Sequence, residues 1–222
     1  MPKYLLPKHI AYTRGLADHI KFNFSDSTAH ALTYEQLCAF SVDELNSILL
    51  SYSPVQGDVL LRQLIINFHQ GLNCHRQTLE ADNAVTFCGA QEALSAVYQA
   101  LLDADDEIIV LTPSYPSLVT MAKTMGVVVK EIALCADNHW QVHIEDFSRL
   151  AHRYLDYSKS IIVGVMSKSL GLAGVRIGWA VTPDDTLLNS LLAIKAMSSI
   201  CCSKIDENLA SIALQYSHEI IA

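Results

Sequence analysis

An α/β layered domain on a mostly parallel sheet is the fold this sequence predicts, and two observations predict it. Short apolar, β-branched runs alternate along the chain with stretches whose apolar residues recur at helical spacing. The apolar runs are strand-sized and bounded by Gly, Pro and Asp, as buried strands joined by helical crossovers are. With 222 residues, 51% of them hydrophobic, the chain has enough apolar surface for a sizeable core.

Residues 1–50 are weakly patterned and read as an N-terminal segment, with residues 51–222 forming the layered domain. Within the segment, a polar stretch from Asn23 to Thr28 precedes a short helix expected from Thr33 to Phe40. Leu60, Leu61, Leu64, Ile65 and Phe68 then recur at helical spacing behind Asp58, which can cap the first turn. Val85-Thr-Phe is a short strand, followed by Gly89 and a helix carrying Leu94, Val97, Leu101 and Leu102. Glu107–Thr112, stopped by Pro113, reads as a buried strand, and Val127–Leu134 as another. Ser160–Val165 is a third buried strand and Val175–Val181 a fourth. Thr182-Pro-Asp-Asp opens a helix with Thr182 as its cap, and a last helix is expected from about Asp206 to Tyr216. No internal repeat, flexible linker or low-complexity tract interrupts the pattern.

The formal charge of −8 argues against nucleic acid as the main partner, and no basic stripe with interleaved aromatics occurs. The start, Met1 to Lys8, has too short an apolar run for a signal peptide, so a soluble, cytoplasmic protein without a membrane partner is the expectation. Six scattered cysteines with no C-x-x-C pair read as reduced thiols, mostly buried. Cys74, His75, His139 and His143 could sketch a metal site, but their spacing fits no zinc pattern, and no metal is expected.

The segment from Gly164 to Trp179 carries the sharpest chemistry. It places Lys168 directly after a buried strand, where an amine is costly unless its charge is used. Gly171, Gly174 and Gly178 allow tight turns and close backbone approach, and Arg176 can offer a planar fork to a phosphate. A nucleophilic lysine beside an anion site suits a Schiff base to an aldehyde-bearing phosphate cofactor. The same residues are compatible with a solvated lysine on a turn-rich hairpin.

That segment resembles the lysine region of class I/II aminotransferases, roughly S-x-S-K-x-x-x-x-x-G-x-R-x-G. The resemblance implies a three-layer α/β/α large domain of fold type I, pyridoxal 5'-phosphate as cofactor, and an amino acid and a 2-oxo acid as substrates. It assigns Lys168 to the cofactor Schiff base and to proton transfer at the substrate α-carbon, Arg176 to the cofactor phosphate, and Ser167 to an assisting role. Val165 replaces the first serine of the pattern, so one phosphate hydrogen bond is absent. Thr86–Leu94 resembles the family's glycine-containing turn, with Gly89, Ala90 and Gln91 offering backbone N–H groups at a helix N-terminus. Thr112-Pro-Ser-Tyr-Pro116 resembles a P-x-aromatic segment whose Tyr115 would stack on the pyridine ring; an ordinary turn aromatic is the alternative. Tyr52–Gly57 resembles the Y-x-x-x-x-G segment whose tyrosine reaches the neighbouring subunit's phosphate, which implies a homodimer.

Two family segments are missing between the aromatic strand and Lys168. They are an Asn-Pro-x-Gly loop contacting the ring hydroxyl, and an Asp-Glu-x-Tyr strand whose Asp pairs with the pyridinium nitrogen. Trp140 and Lys168 are only 28 residues apart, and Asp156-Tyr157 lies too near Lys168 to match them. The chain also stops at Ala222, before the family's small C-terminal domain. The reading is therefore an incomplete aminotransferase, impaired in turnover. A lyase, decarboxylase or cyclase using the same lysine, and a non-catalytic remnant that dimerises, are the alternatives.

Overall fold

The computed structural model describes residues 10, 21, 24, 27–41, 48–70, 79–142 and 160–221. In chain order its helices are α1 (Tyr34–Cys38), α2 (Val59–Gln70), α3 (Ala90–Leu101), α4 (Pro116–Thr124), α5 (Met166–Ser169), α6 (Asp185–Met197), α7 (Lys204–Gln215) and α8 (Ser217–Ile221). Its strands are β1 (Ala84–Phe87), β2 (Glu107–Thr112), β3 (Val128–Ala133), β4 (Ile162–Val165) and β5 (Gly178–Val181). The chain divides into two compact units, Met1–Asp26 with Leu101–Tyr157, and Ser27–Ala100 with Ser158–Ala222.

The second unit is built on the sheet β1-β5-β4. Side chains alternate across a strand, so the sheet has two faces, and each face meets its own helices. Ala84, Trp179 and Val181 join one core with Leu61, Ile65 and Ile66 of α2 and Leu209, Ala210 and Ala213 of α7. Val85, Phe87 and Ala180 join the other with Ala93, Ala96 and Val97 of α3 and Leu187, Leu188 and Leu191 of α6. All four residues of β1 are buried on this account. Helices thus cover both faces of the sheet, the α/β/α layering expected, with each fully buried Leu, Ile or Phe contributing about 1.5–3 kcal/mol.

The strand directions differ from expectation. β5 pairs antiparallel with β1 and also with β4. Parallel pairing in the described residues is that of β2 with β3, in the other unit. The reason is local: the chain between Val165 and Gly178 holds only one-turn elements, α5 and a 3₁₀ turn at Ala173–Val175, rather than the long crossover a parallel neighbour needs. That 3₁₀ turn also shortens the strand expected from Val175. Buried Trp179 lies flat on Gly164, where any side chain would strike its indole, and its Nε1 donates to His69 Nε2 at 2.8 Å.

In the first unit α4 packs on β2 and β3. These strands are less buried than their composition suggests, with Val110 and Ile132 their buried apolar residues. Each has a single paired edge in the described sheet, and the helix of their own unit covers one face.

Helix starts follow side-chain capping. Thr33 and Gln36 form a reciprocal capping box on α1, and Asp58 Oδ1 accepts from Leu60 N at 2.9 Å ahead of α2. The cap of α6 is Asp184, accepting from the N–H groups of Thr186 and Leu187, and not Thr182 as the sequence pattern suggested. Thr182 is occupied one step earlier: its hydroxyl donates to Ser160 O at 3.0 Å and accepts from Asp184 N. Ser203 caps α7, which begins at Lys204. No helix among the described residues is long and apolar enough to cross a membrane.

Candidate functional site

One row of residues across the sheet organises the site. Gly178, the first residue of β5, pairs with Phe87 at the end of β1 on one side and with Val165 at the end of β4 on the other. Adjacent strands lie about 4.8 Å apart, so the ends of β1 and β4 are roughly 10 Å from each other. Gly89 lies two residues past Phe87, Lys168 three past Val165, and Arg176 two before Gly178. All three therefore emerge at the same end of the sheet.

At Gly89 the backbone takes φ +90°, a conformation open to glycine, and turns directly into α3. The first-turn N–H groups of Ala90 and Gln91 have no intrahelical acceptor and carry the positive end of the helix dipole. Arg176 stands over this turn: a Cβ on Gly89 would run into its guanidinium. Gly178 closes the arrangement from below, since a side chain there would strike the Gly89–Ala90 backbone. Arg176 itself is exposed, sits in the left-handed region at φ +54°, and donates from Nη1 to Ala173 O at 3.3 Å. A guanidinium beside a helix N-terminus, with space guaranteed by glycine, fits a phosphate.

Glu92, in the same first turn, accepts from Cys88 N at 2.6 Å and from the Ser198 hydroxyl at 3.0 Å. Partial burial works to raise its pKa, but the hydrogen bonds from Cys88 N–H and Ser198 outweigh it and hold the carboxyl below its usual range.

Lys168 lies in α5, behind buried Met166 and Ser167. The side chain of Lys168 is exposed rather than desolvated, which corrects the premise that its charge is costly there. Its Nζ donates to Ser27 Oγ at 2.6 Å, a residue the sequence pattern did not single out. Tyr52 is 82% exposed and helps line a cavity of about 520 Å³ with Leu50, Ser51, Cys201, Cys202 and Lys204. Tyr115 is the N-cap of α4 in the other unit and is 44% exposed. Asp156 and Tyr157 lie outside the described residues, as do Cys74, His75 and His143 of the sketched metal site.

Behind the anion site sits a buried polar cluster the sequence reading missed. The Thr86 hydroxyl donates to Glu207 Oε1 at 2.8 Å and lies 3.4 Å from Lys195 Nζ, and all three residues are fully buried. Glu207 Oε1 also faces the N–H of Asp58 at 3.4 Å, tying the Tyr52–Gly57 segment to β1. The signal was present: Lys195 falls four residues after Leu191 on the apolar stripe of α6, and Glu207 shares the stripe of Ala210, Ser211 and Leu214 on α7. Charged residues at core-facing helical positions mark such a cluster.

The sequence profile described as aminotransferase class I and II matches residues 23–154 and 151–219. Among characterised relatives, capreomycidine synthase of Streptomyces vinaceus is 22% identical over 262 aligned positions, which cover 90% of this chain and 65% of that protein. Arginine–pyruvate transaminase of Pseudomonas aeruginosa is 32% identical over 110 residues, 50% of this chain and 28% of the relative. Methionine aminotransferase of Escherichia coli is 34% identical over 99 residues, 45% of this chain and 25% of the relative. The chain thus spans less than two thirds of each of these three. Among solved structures, a PLP-dependent aminotransferase from Streptococcus suis superposes with a TM-score of 0.85 at 18% identity, covering 99% of this chain and 73% of that one. The methionine aminotransferase YbdL of E. coli gives 0.76 at 18% identity, covering 100% and 74%.

Proposed function

This chain belongs to the class I and II aminotransferase family, and from that premise we propose that it is the cofactor-binding part of a pyridoxal-phosphate enzyme acting on an amino acid and a 2-oxo acid. The observation that carries the reading is the alignment of Gly89, Arg176 and Lys168 at one end of the sheet β1-β5-β4. Arg176 and the N–H groups of Ala90 and Gln91 bind the cofactor phosphate, and Lys168 holds the cofactor by its Nζ. Ser167 braces α5 from its buried position. When bound, the cofactor would supply an aldehyde carbon for an amine and a ring able to accept electrons from the substrate α-carbon. Lys168 Nζ would carry the α-proton, with Ser27 Oγ, which accepts from it at 2.6 Å, available to hold the amine.

We further propose that turnover is slow. The stretch between Trp140 and Lys168 carries no Asp-Glu-x-Tyr motif, and the two profile matches meet within it, at residues 151–154. Losing one preorganised electrostatic partner costs about 2.7–4 kcal/mol of transition-state stabilisation, or 10²–10³ in rate. Mixing the cofactor-loaded chain with a panel of amino acids and following pyridoxamine phosphate by chromatography tests this. Slow or no conversion is expected, and rapid conversion with any amino acid would refute the impairment.

A cytoplasmic homodimer is the assembly we propose. Tyr52, Leu49, Leu50 and Met197 are each more than 70% exposed, an apolar surface suited to a second copy. A second reading, cyclase- or lyase-type chemistry on the same lysine, is favoured by the relative named as a synthase, which aligns with the greatest share of this chain among the three. Product analysis in the same panel separates the two, since only transamination leaves the pyridoxamine form.

A further inference from the structure

Glu92 places a negative charge in the helix turn that a phosphate needs positive. It is the third residue of α3, next to the N–H groups of Ala90 and Gln91. A glutamate at this position ordinarily folds back over the start of its own helix, where the dipole favours a carboxylate. Partial burial works to raise its pKa, but hydrogen bonds led by that of Cys88 N–H keep the carboxyl below its usual range, so it is ionised at neutral pH. Both of its oxygens are taken by donors other than Ala90 and Gln91. Oε2 accepts from Cys88 N at 2.6 Å, and Oε1 accepts from Ser198 Oγ at 3.0 Å. Ser198 reaches Glu92 from the end of α6, which shares one face of the sheet with α3. Although Ser198 is exposed, its place is fixed from the core. Its N–H and hydroxyl lie 3.0 and 3.2 Å from Lys195 O, and Lys195 is fully buried with Nζ 5.6 Å from the Phe87 ring centroid.

We propose that Ser198 is a positioning residue of the anion site, holding the Glu92 carboxylate off the first-turn N–H groups of α3 so that a phosphate can take them. The inference rests on the reading of Gly89, Ala90, Gln91 and Arg176 as a phosphate site. Without the Ser198 hydroxyl, Oε1 loses its donor while Oε2 keeps Cys88 N as a pivot. The unpaired oxygen then turns to the N–H groups of Ala90 and Gln91, because a buried or half-buried carboxylate oxygen without a donor is costly and the helix start attracts it. Glu92 in that position competes with phosphate for the same donors and repels its charge. The effect of Ser198 therefore runs through the charge of Glu92, which separates it from a hydroxyl that merely packs the end of α6.

The test is a double-mutant cycle: the wild-type chain, Ser198→Ala, Glu92→Gln and the double variant are each titrated with pyridoxal phosphate and, separately, with pyridoxal. Ser198→Ala should weaken pyridoxal phosphate binding roughly 3- to 30-fold, the range a charge at a helix terminus commands. In the Glu92→Gln background the same serine change should alter affinity less than about twofold, since no charge is left to release. Pyridoxal, which lacks the phosphate, should bind Ser198→Ala and wild type alike. An equal loss in both backgrounds, a loss shared by pyridoxal, or an unchanged affinity in Ser198→Ala would overturn the proposal. Wild-type protein that binds pyridoxal as tightly as pyridoxal phosphate would overturn the phosphate reading itself, and this inference with it. Ser198→Gly removes the same hydroxyl and is held to the same outcomes, so the test stands even if the alanine variant does not fold.

Discussion

Replacing Arg176 with glycine should move stability and cofactor affinity in opposite directions. Arg176 sits at φ +54°, where a non-glycine residue costs roughly 1–2 kcal/mol. Glycine removes that strain but adds chain entropy to the unfolded state, about 0.4–1 kcal/mol in the other direction. The guanidinium makes one described hydrogen bond, to Ala173 O at 3.3 Å, and is exposed, so its loss takes little from the folded state. The net expectation is a protein as stable as wild type or about 1 kcal/mol more stable. Affinity behaves differently, because the same guanidinium over Gly89 is the charged half of the phosphate site. Losing a forked, charge-assisted contact should weaken pyridoxal phosphate binding by about 2–4 kcal/mol, roughly 30- to 700-fold. Urea unfolding and a spectroscopic titration with pyridoxal phosphate read the two effects separately. Arg176→Lys should fall between, keeping charge without the fork. An affinity within threefold of wild type, or a marked loss of stability in Arg176→Gly, would refute the placement of Arg176 in the site.

Three further outcomes follow from the same structure. Glu207→Ala should destabilise the fold by about 3–5 kcal/mol in urea, because it leaves Lys195 buried without its Thr86-bridged carboxylate, and adding Lys195→Met should recover much of that loss; simple additivity would show the two are not coupled. The rate of Cys88 alkylation by iodoacetamide should rise with pH through a midpoint near 7, because its neighbours, Cys202 first, lower the thiol to about 7 and the thiolate is what reacts; a midpoint in the range of an ordinary free thiol would contradict that lowering. Sedimentation at micromolar concentration should show a dimer that Tyr52→Asp weakens, and a compact monomer for the unaltered chain would contradict the assembly proposed from the exposed Tyr52 surface.

Local signals were read well where one residue type forces one geometry. The span of the strand at Glu107–Thr112, the Gly89 turn and the Asp58-capped helix stand where composition and capping chemistry place them, although that strand is less buried than its composition suggests. Strand direction was not legible in this way. An apolar run such as Gly178–Val181 looks the same whether its neighbours run with it or against it, and only the length of the connection decides. The thirteen-residue step from Val165 to Gly178 was the available clue. At the site, Lys168, Arg176 and Gly89 could be named because motif residues are sparse and chemically distinctive. Ser27 could not, since a serine in a polar stretch has no periodicity to betray a partner 141 residues away. Lys195 and Glu207 are harder to pick out because charge ordinarily marks an exposed position, although their helical phase places them on the core stripes.

The central claim is that Lys168 holds the cofactor at the end of the sheet where Arg176 and Gly89 meet. Borohydride reduction of the chain mixed with stoichiometric pyridoxal phosphate, followed by peptide mapping, tests it most directly. The account predicts a single pyridoxyl-lysine at Lys168, formed in lower yield when excess inorganic phosphate is present before reduction, through competition at Arg176. A label spread over Lys123, Lys130 and Lys204, or one at Lys168 that phosphate leaves unchanged, would contradict it.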